Sequence, residues 1–303
     1  MPRVRYVIVV MKNKILILLM SCNQPLYESE EQACRETFLV DAEREGIQYY
    51  FYKGINEGHS AQTIDTETNT MYLDVSDKLN GTALKTIVAL KESLSLEWDY
   101  VVKTNVSTYL NVANIKEAVN SWEGSGDTNI YGARYLVNKY SMHVPFPRGN
   151  FIILSRSLVE QSLPYAEVLS KGSDLPHTDD TLIGLSLLFY ITKFTDTPYL
   201  TRIKEVPSIV SWRDDILDAP DFNESLSIRC KDELNKERTP ENLKKIHGYY
   251  HGNRPPKNYR RKVEVVETGN GPMTYETYTR ALAIAKKKAS QEPSDKDDVK
   301  KQG

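Results

Sequence analysis

The sequence predicts an α/β fold built on a central, mostly parallel sheet, and three observations carry that expectation. Short apolar runs, ILILLM at 15–20 and WDYVV at 98–102, read as buried strands. Between them, segments such as ALKTIVALKESL at 83–94 place apolar residues at helical spacing. Both apolar runs end in polar residues: Ser21 and Asn23 after the first, and Lys103, Thr104, Asn105 and Ser107 after the second. In open α/β sheets ligands sit in the crevice beyond the carboxyl ends of the strands. The stretch EWDYVVKTNVSTYLNV (97–112) is therefore central: a strand, a polar cluster, then a second apolar segment from Tyr109 to Ile115. The plainer alternative for the cluster is a surface turn between strand and helix.

The elements follow in order. Residues 1–11 are expected to be an extension. Val4 to Met20 is broken by Arg5, Lys12, Asn13 and Lys14, whereas a membrane span needs roughly 20 mostly apolar residues. A signal peptide would also want a small-residue cleavage site, so the expectation is no membrane span and a cytoplasmic location. Ser29 to Glu45 reads as a helix with Ser29 as N-cap. Gln48 to Tyr52 reads as a strand closed by Gly54, Glu57 to Thr70 as a polar loop, Met71 to Val75 as a short strand, and Ala83 to Leu94 as a helix. After 97–112 come strands at Asn129–Arg134 and Asn150–Leu154, joined by a loop with Pro145 and Pro147. A helix over Thr181–Tyr190 has Thr178, Asp179 and Asp180 as capping residues. Such alternation indicates one α/β domain. Further on, Ser225 to Lys231 is β-like, Thr239-Pro240 opens a helix with Thr239 as cap, Tyr275 to Lys288 reads as a last helix, and 289–303 as a disordered, charged tail.

Composition narrows the partners. A net charge of −2 over 303 residues gives no global attraction to nucleic acid or an anionic membrane. Three cysteines, Cys22, Cys34 and Cys230, without paired spacing, argue for a reducing compartment. The sequons at Asn80, Asn105 and Asn223 are read as unmodified, Asn105 because it falls in the expected crevice.

Five segments, in order, resemble the β1,3-galactosyl- and N-acetylglucosaminyltransferases of glycosyltransferase family 31. ILILLMS followed by CRETF resembles the family's first strand and its Arg-x-Thr-Trp signature, with Phe38 for Trp. YLDVSDKLNGTALKTIVAL resembles its helix entry, and EWDYVVKTNVSTYLNV the segment holding its Asp-x-Asp triplet. RGNFIILSRSLVE resembles its Gly-rich strand, and TDDTLIGLSL its Glu-Asp motif. The resemblance implies a GT-A (Rossmann-like) domain over 12–270, with a nucleotide-binding part at 12–112, an acceptor part at 113–270, and 271–303 as C-terminal helix and tail. It implies an inverting transferase that moves galactose, N-acetylglucosamine or xylose from a UDP-sugar to an oligosaccharide or glycoprotein acceptor. The missing anchor departs from the Golgi members and fits a bacterial or virus-encoded protein, as in chloroviruses.

The resemblance also assigns residues. Ser21, Asn23, Arg35, Thr104, Asn105, Ser107, Gly149 and Asn150 would contact the nucleotide-sugar; the plainer reading of Arg35 is a surface helix arginine. Asp180 aligns with the general base, with Asp179 as the alternative, and either would also serve as a helix cap. His177 and Trp212 would touch the acceptor sugars, or be ordinary loop and core. The family triplet aligns with Asn105-Val106-Ser107, which offers no carboxylate, and hard divalent cations want charged oxygens. Mn²⁺ or Mg²⁺ is therefore not expected from this motif, unless another carboxylate has taken over the ion. Arg229 and Lys231, alternating along one strand, are the pair expected to neutralise the diphosphate, unless they are a solvated basic strand. The missing carboxylates leave a second class open: a non-catalytic sugar-nucleotide or glycan-binding protein on the same fold.

Overall fold

The computed structural model describes residues 13–55, 63–78, 81–122, 131–136, 146–171, 178–194, 203–209, 216–218, 222–232, 235–252, 265–268 and 271–274. The expected extension at 1–11, the last helix at 275–288 and the tail lie outside them.

The fold is mixed α/β. Its main sheet has eight strands: β1 (Ile15–Met20), β2 (Gln48–Gly54), β3 (Thr63–Asp65), β4 (Thr70–Leu73), β5 (Tyr100–Asn105), β7 (Tyr131–Leu136), β8 (Phe146–Ser155) and β9 (Ile203–Glu205), in the order β3-β4-β2-β1-β5-β8-β7-β9. β4, β2, β1 and β5 run parallel, as do β7 and β9, while β3 and β8 oppose them. β1 and β5 are neighbours at the centre. A smaller sheet joins β6 (Thr108–Leu110), β10 (Ser208–Ile209) and β11 (Ser227–Arg229), and β12 (Val265–Thr268) pairs with β13 (Gly271–Thr274) in a hairpin.

Strand alternation divides the core into two layers. Ile15, Ile17 and Leu19 of β1 face a layer with α1 (Pro25–Arg35), α2 (Phe38–Arg44), α4 (Val112–Ser121) and α7 (Thr239–Tyr250). Leu16 and Leu18 face α3 (Thr82–Ser93), α5 (Arg156–Ser170) and α6 (Asp179–Phe194). Asn111 caps α4 through Asn114 N at 3.1 Å, and Ser155 caps α5 through Leu158 N at 3.4 Å.

Several local expectations are corrected. The helix expected from Ser29 starts at Pro25, whose ring presets the helical φ; the Ser29 hydroxyl donates instead to Leu26 O at 2.7 Å. It is also two helices, because Thr37 leaves the helical region (φ −125, ψ −116). The polar loop contains β3, which pairs antiparallel with β4. Strand β5 does not stop at Val102 but continues through Lys103, Thr104 and Asn105, because tertiary partners satisfy those polar side chains. Pro147 lies within β8 rather than in a loop, opposite Tyr135, where the β7–β8 register shifts; a residue without N–H is tolerated at such an irregularity. Helix α5 follows a segment read only as a strand. Thr239 is already helical and its hydroxyl donates to Lys236 O at 2.7 Å, so Arg238 takes the cap position.

Candidate functional site

The strand order fixes where a ligand crevice belongs. From β1 the sheet grows outward through β2 to β4 on one side and begins with β5 on the other, so the topological switch point lies between β1 and β5. Their carboxyl ends are in register: Met20 stands opposite Asn105, and Val106 N donates to Met20 O at 3.2 Å. The chain after β1 (Ser21 to Asn23) and the turn after β5 (Asn105 to Ser107) therefore flank one another.

The β1 side is held by two buried ion pairs. Lys85 Nζ donates to Ser21 O at 2.6 Å and to Asp77 Oδ1 at 2.8 Å. Asp77 also accepts from the backbone N–H of Asn23 (2.7 Å) and of Gly54 (2.9 Å), and the Asn23 amide reaches Gly54 O at 2.9 Å. A side chain at Gly54 would place its Cβ 2.5 Å from Val75 O, so only glycine lets the loop carrying Asp77 approach this closely. The second pair is Lys53 Nζ with Glu31 Oε1 at 2.7 Å, an oxygen that also accepts from the Ser21 hydroxyl.

The β5 side has a third pair. Lys103 is fully buried; its ammonium donates to Gly149 O at 2.5 Å and to the Asp179 carboxylate. Asp179 and Asp180 occupy the first turn of α6, where the helix dipole favours negative charge. Asp180 Oδ1 accepts from Thr181 N at 2.8 Å. A Cβ at Gly149 would lie 3.0 Å from Asp179 Oδ1 and 3.2 Å from Asp180 Cβ, so glycine here brings β8 and both carboxylates together. Thr104 Oγ1 donates to Asn150 O at 2.7 Å. The Asn150 side-chain amide nitrogen is buried and has no partner among the described residues, the kind of donor a bound molecule satisfies.

The turn itself is closed on its own oxygens. Asn105 Oδ1 accepts from Ser107 Oγ at 2.8 Å and Thr108 Oγ1 at 2.9 Å. Together with the missing carboxylates, this makes Asn105-Val106-Ser107 a poor fit for Mn²⁺ or Mg²⁺, which take charged or unengaged oxygens. Beside the turn runs β11, with Arg229 opposite Thr108 and Cys230 N donating to Ser107 O at 2.8 Å. Arg229 is close enough to Tyr27 and Glu30 of α1 for its charge to act on both, and Lys231 acts on Glu30. Burial dominates there and pushes the Glu30 carboxyl up to about 7, and its Oε2 has no partner among the described residues.

Of the site residues expected from sequence, the structure gathers Ser21, Asn23, Thr104, Asn105, Ser107, Gly149, Asn150, Asp179, Asp180 and Arg229 near the carboxyl ends of β1 and β5. Arg35 is not among them. Helix α1 runs away from the carboxyl edge, and its last residue stacks over Phe51 (4.5 Å to the ring centre) and donates to Tyr49 Oη and Thr68 O. Lys231 does not alternate with Arg229 on one strand as expected, because β11 ends at Arg229. His177 and Trp212 lie outside the described residues. Sequence reasoning passed over Glu31, Lys53, Asp77 and Lys85. The available signal was a lysine ending an apolar strand (QYYFYK) and another, Lys85, within the buried stretch of α3. The thiols are inert: burial pushes Cys22 up to about 11 and Cys230 up to about 12.

No family model matches the chain, and no curated protein matches it in sequence. Among solved structures, a glycosyltransferase involved in glycosylation of the major capsid of PBCV-1 superimposes with a TM-score of 0.47 at 10% identity, over 77% of this chain and 99% of that one. GlyE of Streptococcus pneumoniae TIGR4, a glycosyltransferase, gives 0.41 at 10% identity over 83% and 67%. The galactosyltransferase LgtC, solved with donor and acceptor sugar analogues, gives 0.40 at 10% identity over 81% and 99%. These three are glycosyltransferases, but 4-diphosphocytidyl-2C-methyl-D-erythritol synthase from Anaerococcus prevotii DSM 20548 also superimposes, with a TM-score of 0.37 at 11% identity; all these scores are too low to carry chemistry across.

Proposed function

We propose that the chain is an inverting glycosyltransferase of GT-A type that moves a sugar (galactose, N-acetylglucosamine or xylose) from a UDP-sugar to a hydroxyl of a glycan acceptor, with Asp180 as general base. The observation that carries this reading is the division of labour at the switch-point crevice. Lys103 neutralises Asp179, while Asp180, one residue on, stands against Gly149 at the same helix start. In the reaction the acceptor oxygen attacks the anomeric carbon from the face opposite UDP, its proton passes to Asp180, and the bond to the β-phosphate oxygen breaks. Charge develops on UDP as it leaves. With Asn105 Oδ1 engaged within its own turn, Arg229 and Lys231 supply the compensating charge, each charge-assisted bond being worth about 1.5–3 kcal/mol. The chain would act in the cytoplasm of a bacterium or of a virus-infected cell.

UDP release from a panel of UDP-sugars with glycan acceptors tests the reading. Asp180→Asn keeps the size and can still accept from Thr181 N but cannot take up a proton; turnover is expected to fall about 10²-fold or more, with UDP affinity nearly unchanged. An active Asp180→Asn enzyme transfers the role elsewhere. Replacing Arg229 and Lys231 together by alanine should cost far more rate than EDTA does; if EDTA abolishes turnover and Mn²⁺ restores it, the metal-free design is wrong. The carboxylate-free turn favours one second reading, a binding protein for sugar nucleotides, which UDP binding without release from any donor would establish.

A further inference from the structure

A group of donor atoms that the crevice does not use lies on the layer formed by α1, α2, α4 and α7. Asp41 sits at the middle of the short helix α2, whose chain leads on to the amino end of β2. His247 lies in the last turn of α7, and His251, four residues on, is its cap. That spacing puts both imidazoles on one helix face, with ring centres 4.2 Å apart. His251 Nε2 is 2.9 Å from Asp41 Oδ2, and His247 Nδ1 is 3.8 Å from the same oxygen. One donor atom from each of the three residues falls within a 4.8 Å span.

We propose that Asp41, His247 and His251 bind a divalent transition-metal ion of the Zn²⁺ class, which clamps α7 onto α2. Two imidazoles with one carboxylate suit zinc and its borderline neighbours rather than magnesium or calcium. Three protein ligands with the fourth position left to water is a standard zinc arrangement. Bonds of about 2.0–2.1 Å in a tetrahedron put ligand atoms about 3.3 Å apart, and the separations of 2.9 and 3.8 Å bracket that value. The surroundings complete the site. Asp41 Oδ1 is held by Arg44 Nη1 at 3.0 Å, which turns Oδ2 toward the histidines. The Tyr109 hydroxyl lies 3.2 Å from the same His247 Nδ1, and the ion would displace that contact. The carboxyl end of α7 presents carbonyl charge that favours a cation. The competing account is an Asp41–His251 ion pair with His247 Nδ1 hydrogen-bonded to the Tyr109 hydroxyl; it does not call for the three donor atoms to converge.

The test uses the full chain, stripped of metal, with Zn²⁺ alone and with Co²⁺ as a spectroscopic stand-in. One Zn²⁺ per chain should bind and raise the melting midpoint, and Co²⁺ should give the visible bands of a tetrahedral nitrogen–oxygen site. His251→Ala, at the solvent-facing end, and Asp41→Asn, which keeps its size, should fold as judged by circular dichroism. Their affinity should fall by more than the roughly 10–100-fold that altered ligand supports cost, and the cobalt bands should vanish; His251→Gln serves if the alanine variant does not fold. No binding by the parent leaves a plain ion pair and overturns the proposal. So does equal affinity in the variants, which would move the ion to the crevice carboxylates, or a sulfur-to-cobalt charge-transfer band, which would move it to the cysteines.

Discussion

The two ends of the β1–β5 pair each carry a lysine bound to a carboxylate, and they are not equivalent. At the amino end Lys14 pairs with Glu97, both side chains mostly in water at 64% and 85% exposure. At the carboxyl end Lys103, at 0%, pairs with Asp179, and Lys85–Asp77 and Lys53–Glu31 are buried beside it. An exposed pair gains little, since water and salt screen it. A buried pair costs desolvation on both ions and persists only when each group is fully partnered. Among the described residues three of them lie along this one sheet edge, which tolerates an expense the other avoids, and the carboxylates proposed for catalysis stand there.

The largest effect should come from breaking one buried pair on one side only. Lys103→Met leaves Asp179 buried and unpaired, and the unfolding free energy should drop by about 3–5 kcal/mol, read by chemical denaturation. Adding Asp179→Leu should recover much of that loss. A Lys103→Met protein as stable as the parent would mean that the pair is not what holds α6 against β5.

A smaller effect concerns Glu30, beneath Arg229 and Lys231. Its carboxyl is raised from 4.5 to about 7 in the folded chain, so between those values the folded state binds more protons than the unfolded one. Stability therefore falls as pH rises from 4.5 to about 7 and stays lower above that. Glu30→Gln should flatten this slope and gain on the order of 3 kcal/mol at pH 8. Parallel stability–pH curves for parent and variant would show that Glu30 ionises as it does in water.

The smallest effect completes the contrast. The Lys14 hydrogen bond and charge lower the Glu97 carboxyl and outweigh the desolvation that opposes them. Lys14→Met should leave the melting midpoint unmoved within error. A loss comparable with that of Lys103→Met would dissolve the distinction between the two ends.

What sequence alone determined was local. The apolar runs of β1, β2 and β5, the amphipathic face of α3 and the polar residues closing β1 and β5 follow from side-chain period and composition, which act over a few residues. Topology then put those polar ends together, as the α/β alternation implied. The pairing was decided only by the tertiary structure. Lys103 meets Asp179 across 76 residues, Lys85 meets the Ser21 carbonyl across 64, and His251 meets Asp41 across 210. The same gap explains the misread ends. Lys103 to Asn105 look like a loop because the partners that let them stay in a strand are far along the chain, and Arg35 looks close to the crevice because sequence proximity does not reveal which way α1 runs. Burial of a charge is a property of what folds over it, and no local pattern records that.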